Sequence, residues 1–236
     1  MEKLQGFYEL LKKVEAVHLD MDGSLIQSEE AWFCSEVDLL RNYGVDKTVP
    51  KIREITRDEL VGRGQKFAAR FYKENFGLSE SVEAIREKRI ALVKEYYGKV
   101  PMTEGAEKFL QLVGESDRKV TLATSAPLEL AEVFLERQNH PEYFDHVVTD
   151  DHVARSKPSP EIFIEAGKGV AVEPEKSLVV EDSKHGVLAA KGAGANCLWV
   201  PSGEFSENRE ELSDKADFIA PSLASLNFSA VRESLK

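Results

Sequence analysis

The sequence predicts an α/β protein in which a parallel sheet lies between helices and an all-helical segment is inserted after the first strand. Two observations carry this reading. After residue 100, strand-like and helix-like segments alternate: KVTLATS, PLELAEVFLERQN, HVVTD, PSPEIFIEAGKG, SLVVED, KHGVLAAKGAG, NCLWV and DFIA. Such alternation is what strands joined by crossover helices produce. Between Gln27 and Lys99, by contrast, SEEAWFCSEVDLLRNYG, GQKFAARFYKENFG and SVEAIREKRIALVKEYYG all carry helical periodicity, with no strand pattern between them.

The elements follow in order. Leu4, Phe7, Tyr8, Leu11 and Val14 recur at helical spacing and predict an amphipathic helix over residues 3–14 that serves packing. EAVHLDMDG then runs apolar into two aspartates and a glycine, the pattern of a buried parallel strand opening into a loop at its carboxyl end. Ligands of open α/β sheets sit at such ends. The core is therefore assigned to residues 1–24 and 100–236 and the insertion to residues 25–99. Pro101 and Gly105 mark the re-entry and a hinge. No fixed-period repeat or low-complexity tract interrupts this scheme.

Bulk properties exclude several classes. A chain of 236 residues with 42% hydrophobic and 31% charged content reads as a globular protein rather than a disordered or membrane one. No apolar run reaches the roughly 18 residues of a membrane span, and MEKLQGFYELLKKV lacks the continuous apolar stretch of a signal peptide. Cys34 and Cys197 read as isolated thiols, so a reducing cytoplasm is the expected location. The net charge of −11 argues against a nucleic-acid surface. It also sets a condition on any phosphate site, because unit charges 4 Å apart repel by about 4 kcal/mol at an effective dielectric near 20. Local cations, a metal ion and a lysine, are therefore expected.

Four strand ends carry chemistry. In DMDGS, Asp20 lies in the sheet crevice and the turn brings Asp22 beside it. Alone, this acidic pair reads equally as a fragment of a calcium loop or a plain turn. In LATSAP, Thr124 and the Ser125 amide are donors for phosphate oxygens just before a helix, or a simple helix cap. In SKPSP, Lys157 precedes Pro158 and a helix capped by Ser159, which holds its ammonium at a rigid turn; isolated lysines are otherwise solvated. In VVEDS, Glu181 and Asp182 emerge from an apolar run as oxygen ligands for a hard cation, or as helix caps.

Taken in order, DMDGS, LATS, SKPSP and VVEDS resemble the four motifs of the haloacid dehalogenase superfamily. The insertion after the first strand is similar to the helical cap of the subclass that includes sugar-phosphate phosphatases and β-phosphoglucomutase. The resemblance covers residues 14–201 and implies a Rossmann-like three-layer core with a cap. It implies that Asp20 is the nucleophile, forming an aspartyl-phosphate, and that Asp22 is general acid toward the leaving alkoxide and then general base toward water. Thr124, Ser125 and Lys157 would hold phosphoryl oxygens. Mg2+ would be bound by the carboxylates of Asp20 and Asp182 and the carbonyl of Asp22, with Glu181 orienting a metal-bound water. The substrate would be a small phosphate ester, a hexose or related sugar phosphate first, and a monomer is the expected state.

Departures from the pattern bear on the choice of reaction. Phosphoglucomutases of this type carry a histidine twelve residues after the nucleophile, where this chain has Trp32, which favours hydrolysis over transfer. Trp32 alternatively reads as cap core. Gln27 replaces an aspartate common in related phosphatases, with little expected effect. TRDELVGRG resembles the specificity loop of the subclass, so Arg57 and Arg63 are candidates for substrate contact, or are solvated. His185, which begins the helix after the fourth motif, reads as a surface residue first and otherwise as one that approaches the site, and His18 reads as core. The rival from another class is a phospho-aspartate signalling module, but such modules are about half this length and lack the insertion.

Overall fold

The computed structural model describes residues 2–45, 59–201, 212 and 214–236. Arg57 lies outside the described residues. The core elements are α1 (Glu2–Leu11), β1 (Ala16–Leu19), then α5 (Ala106–Gly114), β2 (Lys119–Ala123), α6 (Leu128–Glu136), β3 (His146–Val148), α7 (Glu161–Val170), β4 (Ser177–Glu181), α8 (Lys184–Ala193), β5 (Asn196–Trp199), β6 (Phe218–Ile219) and α9 (Phe228–Ser234). Between β1 and β2 come α2 (Glu29–Asn42), α3 (Gln65–Phe76) and α4 (Val82–Tyr97). Every strand foreseen from the sequence is present, and α5 and α9 are additional.

The sheet order is β3-β2-β1-β4-β5-β6, with every adjacent pair parallel. The chain moves outward one way through β2 and β3 and the other way through β4, β5 and β6. β1 and β4 therefore flank the point where strand order reverses, and a crevice opens beyond their carboxyl ends. Period-two alternation builds the two outer layers. Val17, Leu19, Val120, Leu122, Leu178 and Val180 face a core shared with Phe7, Leu11, Phe109 and Phe134 from α1, α5 and α6. Ala123, Val179, Cys197 and Trp199 face Phe163, Ala166, Val187 and Ala190 from α7 and α8.

His18 belongs to neither apolar set but is fully buried, its Nδ1 lying 2.8 Å from the Thr121 hydroxyl on the neighbouring strand. The expectation that it is a core residue holds.

The inserted helices bury their own cluster, including Phe33, Val37, Leu40, Ala69, Tyr72 and Ile85. Arg89 of α4 is buried with them, paired with Glu36 at 2.6 Å and bonded to Gln65, and its guanidinium lies 4.5 Å above the Trp32 ring. The two chain crossings into the insertion run side by side. Ile26 and Met102 form an antiparallel bridge, the Gln27 amide donates to the Pro101 carbonyl at 2.9 Å, and the Thr103 amide donates to the Leu25 carbonyl at 2.8 Å. Gly105 is packed tightly against the backbone of Ala224, where a Cβ would come within 2.3 Å of the Ala224 nitrogen. It therefore fixes the start of α5, and the paired crossings form the narrow neck.

Candidate active site

Four segments meet at the crevice. Asp20 follows β1, and its amide extends the ladder by donating to the Val180 carbonyl of β4 at 3.0 Å. This pins the Asp20 backbone between the two central strands. Glu181 ends β4 and Asp182 follows it, and both are buried. The carboxylates of Asp20, Glu181 and Asp182 offer oxygens that all lie within 4.8 Å of one another. Three buried carboxylates so close require cations, since each pair repels.

Lys157 supplies one. It lies on the approach to α7, just before a cis Lys157-Pro158 peptide, and its side chain is wholly buried. Its ammonium donates to Asp20 Oδ1 at 2.5 Å, to Glu181 Oε1 at 2.7 Å and to the Ala123 carbonyl at the end of β2 at 3.2 Å. All three ammonium protons are thus engaged. Burial alone would lower the Lys157 pKa; the carboxylates of Asp20 and Glu181 outweigh it and hold the ammonium above the ordinary lysine range. For Asp20, burial pushes the carboxyl up against the opposing pull of Lys157. Ser159 does not cap α7 as expected. Pro160 occupies that position, and the Ser159 hydroxyl instead donates to Glu161 at 3.3 Å.

Glu181 is held from its other side as well. Its Oε2 accepts from the Ser183 amide at 2.8 Å and the Ser183 hydroxyl at 3.0 Å, while that hydroxyl caps α8 by accepting from the Gly186 amide at 3.0 Å. A Cβ on residue 186 would sit 1.7 Å from Glu181 Oε1, so only glycine allows this approach. Thr124 is buried beside the crevice, and its Oγ1 accepts from the Ala126 amide at 3.0 Å. Ser125 lies at the mouth and donates its hydroxyl to the Gly62 carbonyl of the inserted segment at 3.0 Å.

Asp22 turns the other way, toward the inserted helices. Its Oδ1 accepts from Trp32 Nε1 at 3.1 Å and from the Tyr97 hydroxyl. Burial raises its carboxyl pKa, opposed by hydrogen bonds donated to it. A nucleophile candidate beside an ammonium, a second carboxyl of raised pKa and a cluster of hard oxygen donors are parts suited to phosphoryl transfer.

The family profile described as haloacid dehalogenase-like hydrolase matches residues 17–200. The chain belongs to the haloacid dehalogenase-like hydrolases. It is 32% identical to a probable pseudouridine-5'-phosphatase of Drosophila melanogaster, over 89% of this chain and 94% of that protein. It is also 32% identical to a phosphorylated carbohydrates phosphatase of Thermotoga maritima, over 79% and 84% of the two chains. The crystal structure of CbbY from Rhodobacter sphaeroides in complex with phosphate superposes with a TM-score of 0.80 at 25% identity, covering 92% of this chain and 99% of that one. With these relatives named as phosphatases, this haloacid dehalogenase-like hydrolase is an enzyme of the phosphoric monoester hydrolase class. No helix among its described residues is long and apolar enough to cross a membrane.

In this hydrolase the insertion closes onto the crevice through the segment 61–65. His185, expected at the surface, is half-buried at this seam: its Nδ1 lies 2.9 Å from the Val61 carbonyl and its Nε2 accepts from Arg63 Nε at 3.1 Å. Burial lowers its pKa, in keeping with a neutral ring that donates at Nδ1 and accepts at Nε2. Arg63 is half-buried and also lies 4.0 Å above the Phe67 ring, so its guanidinium is held within the seam. Sequence reasoning missed Tyr97, Ser183, Gly186 and Asp150. Ser183 and Gly186 stand within the fourth motif region and Asp150 closes the segment HVVTD, so those signals were local. Tyr97 gave none, being 75 residues from its partner.

Proposed function

We propose that this hydrolase cleaves a small phosphate monoester, a hexose or related sugar phosphate first, with Mg2+ and through a phosphorylated Asp20. The observation that carries the reading is the convergence of Asp20, Lys157, Glu181 and Asp182 in one buried pocket with Asp22 turned across from them. The Lys157 ammonium bonds two of these three carboxylates, and an entering phosphate dianion adds further negative charge, so the pocket with its ester has a deficit of positive charge. A hard divalent cation matches both that deficit and the all-oxygen donor set. The carboxylates of Asp20 and Asp182 and the carbonyl of Asp22 are the groups to hold it. Glu181, whose two oxygens already accept from Lys157 and Ser183, fits an orienting role. When bound, the cation neutralises phosphoryl charge.

The protein's own groups then act in sequence. The Asp20 carboxylate attacks phosphorus as the ester P–O bond breaks, and Asp22 gives its proton to the departing alkoxide. Asp22, now ionised, takes a proton from water, which attacks phosphorus and frees Asp20 and inorganic phosphate. Lys157 and Thr124 steady the phosphoryl oxygens. Because the ammonium protons of Lys157 are all engaged, one must turn from a protein acceptor to phosphate, and the 3.2 Å bond to Ala123 is the weakest. The division into a core of residues 1–24 and 100–236 and a cap of residues 25–99 supports a site that closes over its ester and excludes water. A monomer in the cytoplasm is part of the same reading.

The test is phosphate release from a panel of sugar and other monoesters with and without Mg2+. Activity should require the metal and vanish in Asp20→Asn; full activity in that variant would sink the mechanism. Faster conversion of glucose 1-phosphate to glucose 6-phosphate than hydrolysis of either would replace the phosphatase reading with a phosphomutase.

A further inference from the structure

Tyr97, the last residue of α4, is fully buried, and its hydroxyl is donated to Asp22 Oδ1. Trp32 Nε1, from α2, donates to the same oxygen at 3.1 Å, and the two rings meet edge to face with centroids 6.2 Å apart. The end of α4 is itself anchored from the core. The Arg137 guanidinium, just past α6, donates to the Tyr97 carbonyl at 3.0 Å and to the Val100 carbonyl at 2.9 Å. Three links therefore run in series, from Arg137 to the backbone of Tyr97, through its ring to the hydroxyl, and on to Asp22.

We propose that Tyr97 is a positioning residue for proton transfer by Asp22, and that Arg137 fixes Tyr97 in the orientation that does so. The inference rests on the reading of Asp22 as the proton handler. Two donors converging on Oδ1 fix the plane of the carboxyl group, and the proton that moves is the one Asp22 carries as the acid. That proton passes to the leaving oxygen as the ester P–O bond breaks and the Asp20–phosphorus bond forms. Both donors come from the inserted helices, one shortly after the first crossing and one just before the second. Asp22 is therefore oriented only when the crossings are in the register seen here. A tyrosine serving packing alone would satisfy its hydroxyl anywhere nearby; this one spends it on the carboxyl that the chemistry uses.

Leaving-group dependence separates positioning from packing. An alkyl phosphate expels a poor leaving group that needs the proton, whereas p-nitrophenyl phosphate expels a phenolate that leaves without it. In Tyr97→Phe, which keeps the buried ring, kcat/KM should fall about 10- to 100-fold on a sugar phosphate and less than about 3-fold on p-nitrophenyl phosphate, part of the 10²–10⁴ that general acid catalysis supplies. Arg137→Ala, at an exposed position, should show the same selectivity at about 3- to 10-fold. Equal losses on both esters, or none on the sugar phosphate, would overturn the proposal. Asp22→Asn distinguishes this failure from that of the underlying reading. If Asp22→Asn is selective and Tyr97→Phe is not, only the positioning role falls; if Asp22→Asn hydrolyses the sugar phosphate at full rate, the role of Asp22 itself is wrong.

Discussion

The carboxylate of Asp150, in the loop after β3, accepts the backbone amide of Gln65 at 3.0 Å and so caps a helix of the insertion from the core side. Gly64, at the N-cap of α3, has no side chain to do this, and Asp150 takes its place at the positive end of the helix. The Ser156 hydroxyl, donated to the other oxygen of Asp150, fixes the carboxylate in place.

This contact should help hold the closed arrangement. Two ion pairs across the seam, Arg86 with Asp151 at 2.7 Å and Lys94 with Glu129 at 3.2 Å, are partly or largely exposed and are worth at most about 1 kcal/mol each. A lost cap costs about 0.5–2 kcal/mol. Asp150→Ala should therefore raise KM for a sugar phosphate about 2- to 30-fold while kcat stays within a factor of about 3. Asp150→Asn, which keeps an acceptor, should lie between the variant and the parent. Steady-state kinetics decide it, and an unchanged KM in Asp150→Ala would remove the seam from the account of closure.

Gly186 gives a second prediction in which two effects compete. Replacing a glycine within a helix by alanine ordinarily stabilises by up to about 1 kcal/mol. At residue 186 the new methyl would fall 1.7 Å from Glu181 Oε1, and a carboxylate already held by Lys157 and Ser183 has nowhere to turn. Gly186→Ala should destabilise by about 1–3 kcal/mol and lower kcat at least about 10-fold. Gly192→Ala is the control in the same helix, because its Cβ would meet Pro160 at an ordinary 3.5 Å. It should leave activity unchanged and hold or slightly raise the urea midpoint. Parallel behaviour of the two variants would show that Gly186 is not there for Glu181.

The legible part of this protein is the part written in short stretches of chain. Asp20, Glu181 and Asp182 each sit at the end of an apolar run, and the order of those runs dictates that they meet, because parallel strands bring their carboxyl ends to one edge. Lys157 was legible instead from the short stretch SKPSP before a helix. His18 was legible for the same reason, since alternation alone turns it away from the Val17 and Leu19 face. Illegible were contacts that depend on how the insertion folds back. Nothing in YYG says that Tyr97 reaches Asp22, and nothing in VTDD says which helix Asp150 will cap. The start of α7 shows a local failure: Ser159 has the right chemistry for a cap, but Pro160 stands at the boundary instead. α5 carries helical spacing at Ala106, Phe109, Leu110 and Val113, and the Pro101 and Gly105 punctuation before it obscures that pattern.

His18 makes the fold itself sensitive to acid. Burial lowers its pKa from 6.5 to about 4, because a charged imidazole between β1 and α7 would be stripped of water. The folded state therefore resists a proton that the unfolded chain accepts. Stability from this group is full above pH 6.5 and is lost as pH falls toward 4, the window set by the two pKa values. At about 1.4 kcal/mol per pKa unit, the loss between pH 7 and pH 4.5 comes to about 2 kcal/mol. His18→Gln keeps a polar partner for the Thr121 hydroxyl without a titrating ring. Urea unfolding at the two pH values should show a drop in stability smaller by about that amount in His18→Gln than in the parent. An identical drop in both would mean that His18 takes up its proton in the folded protein near its ordinary pKa, and that the pocket between β1 and α7 admits water.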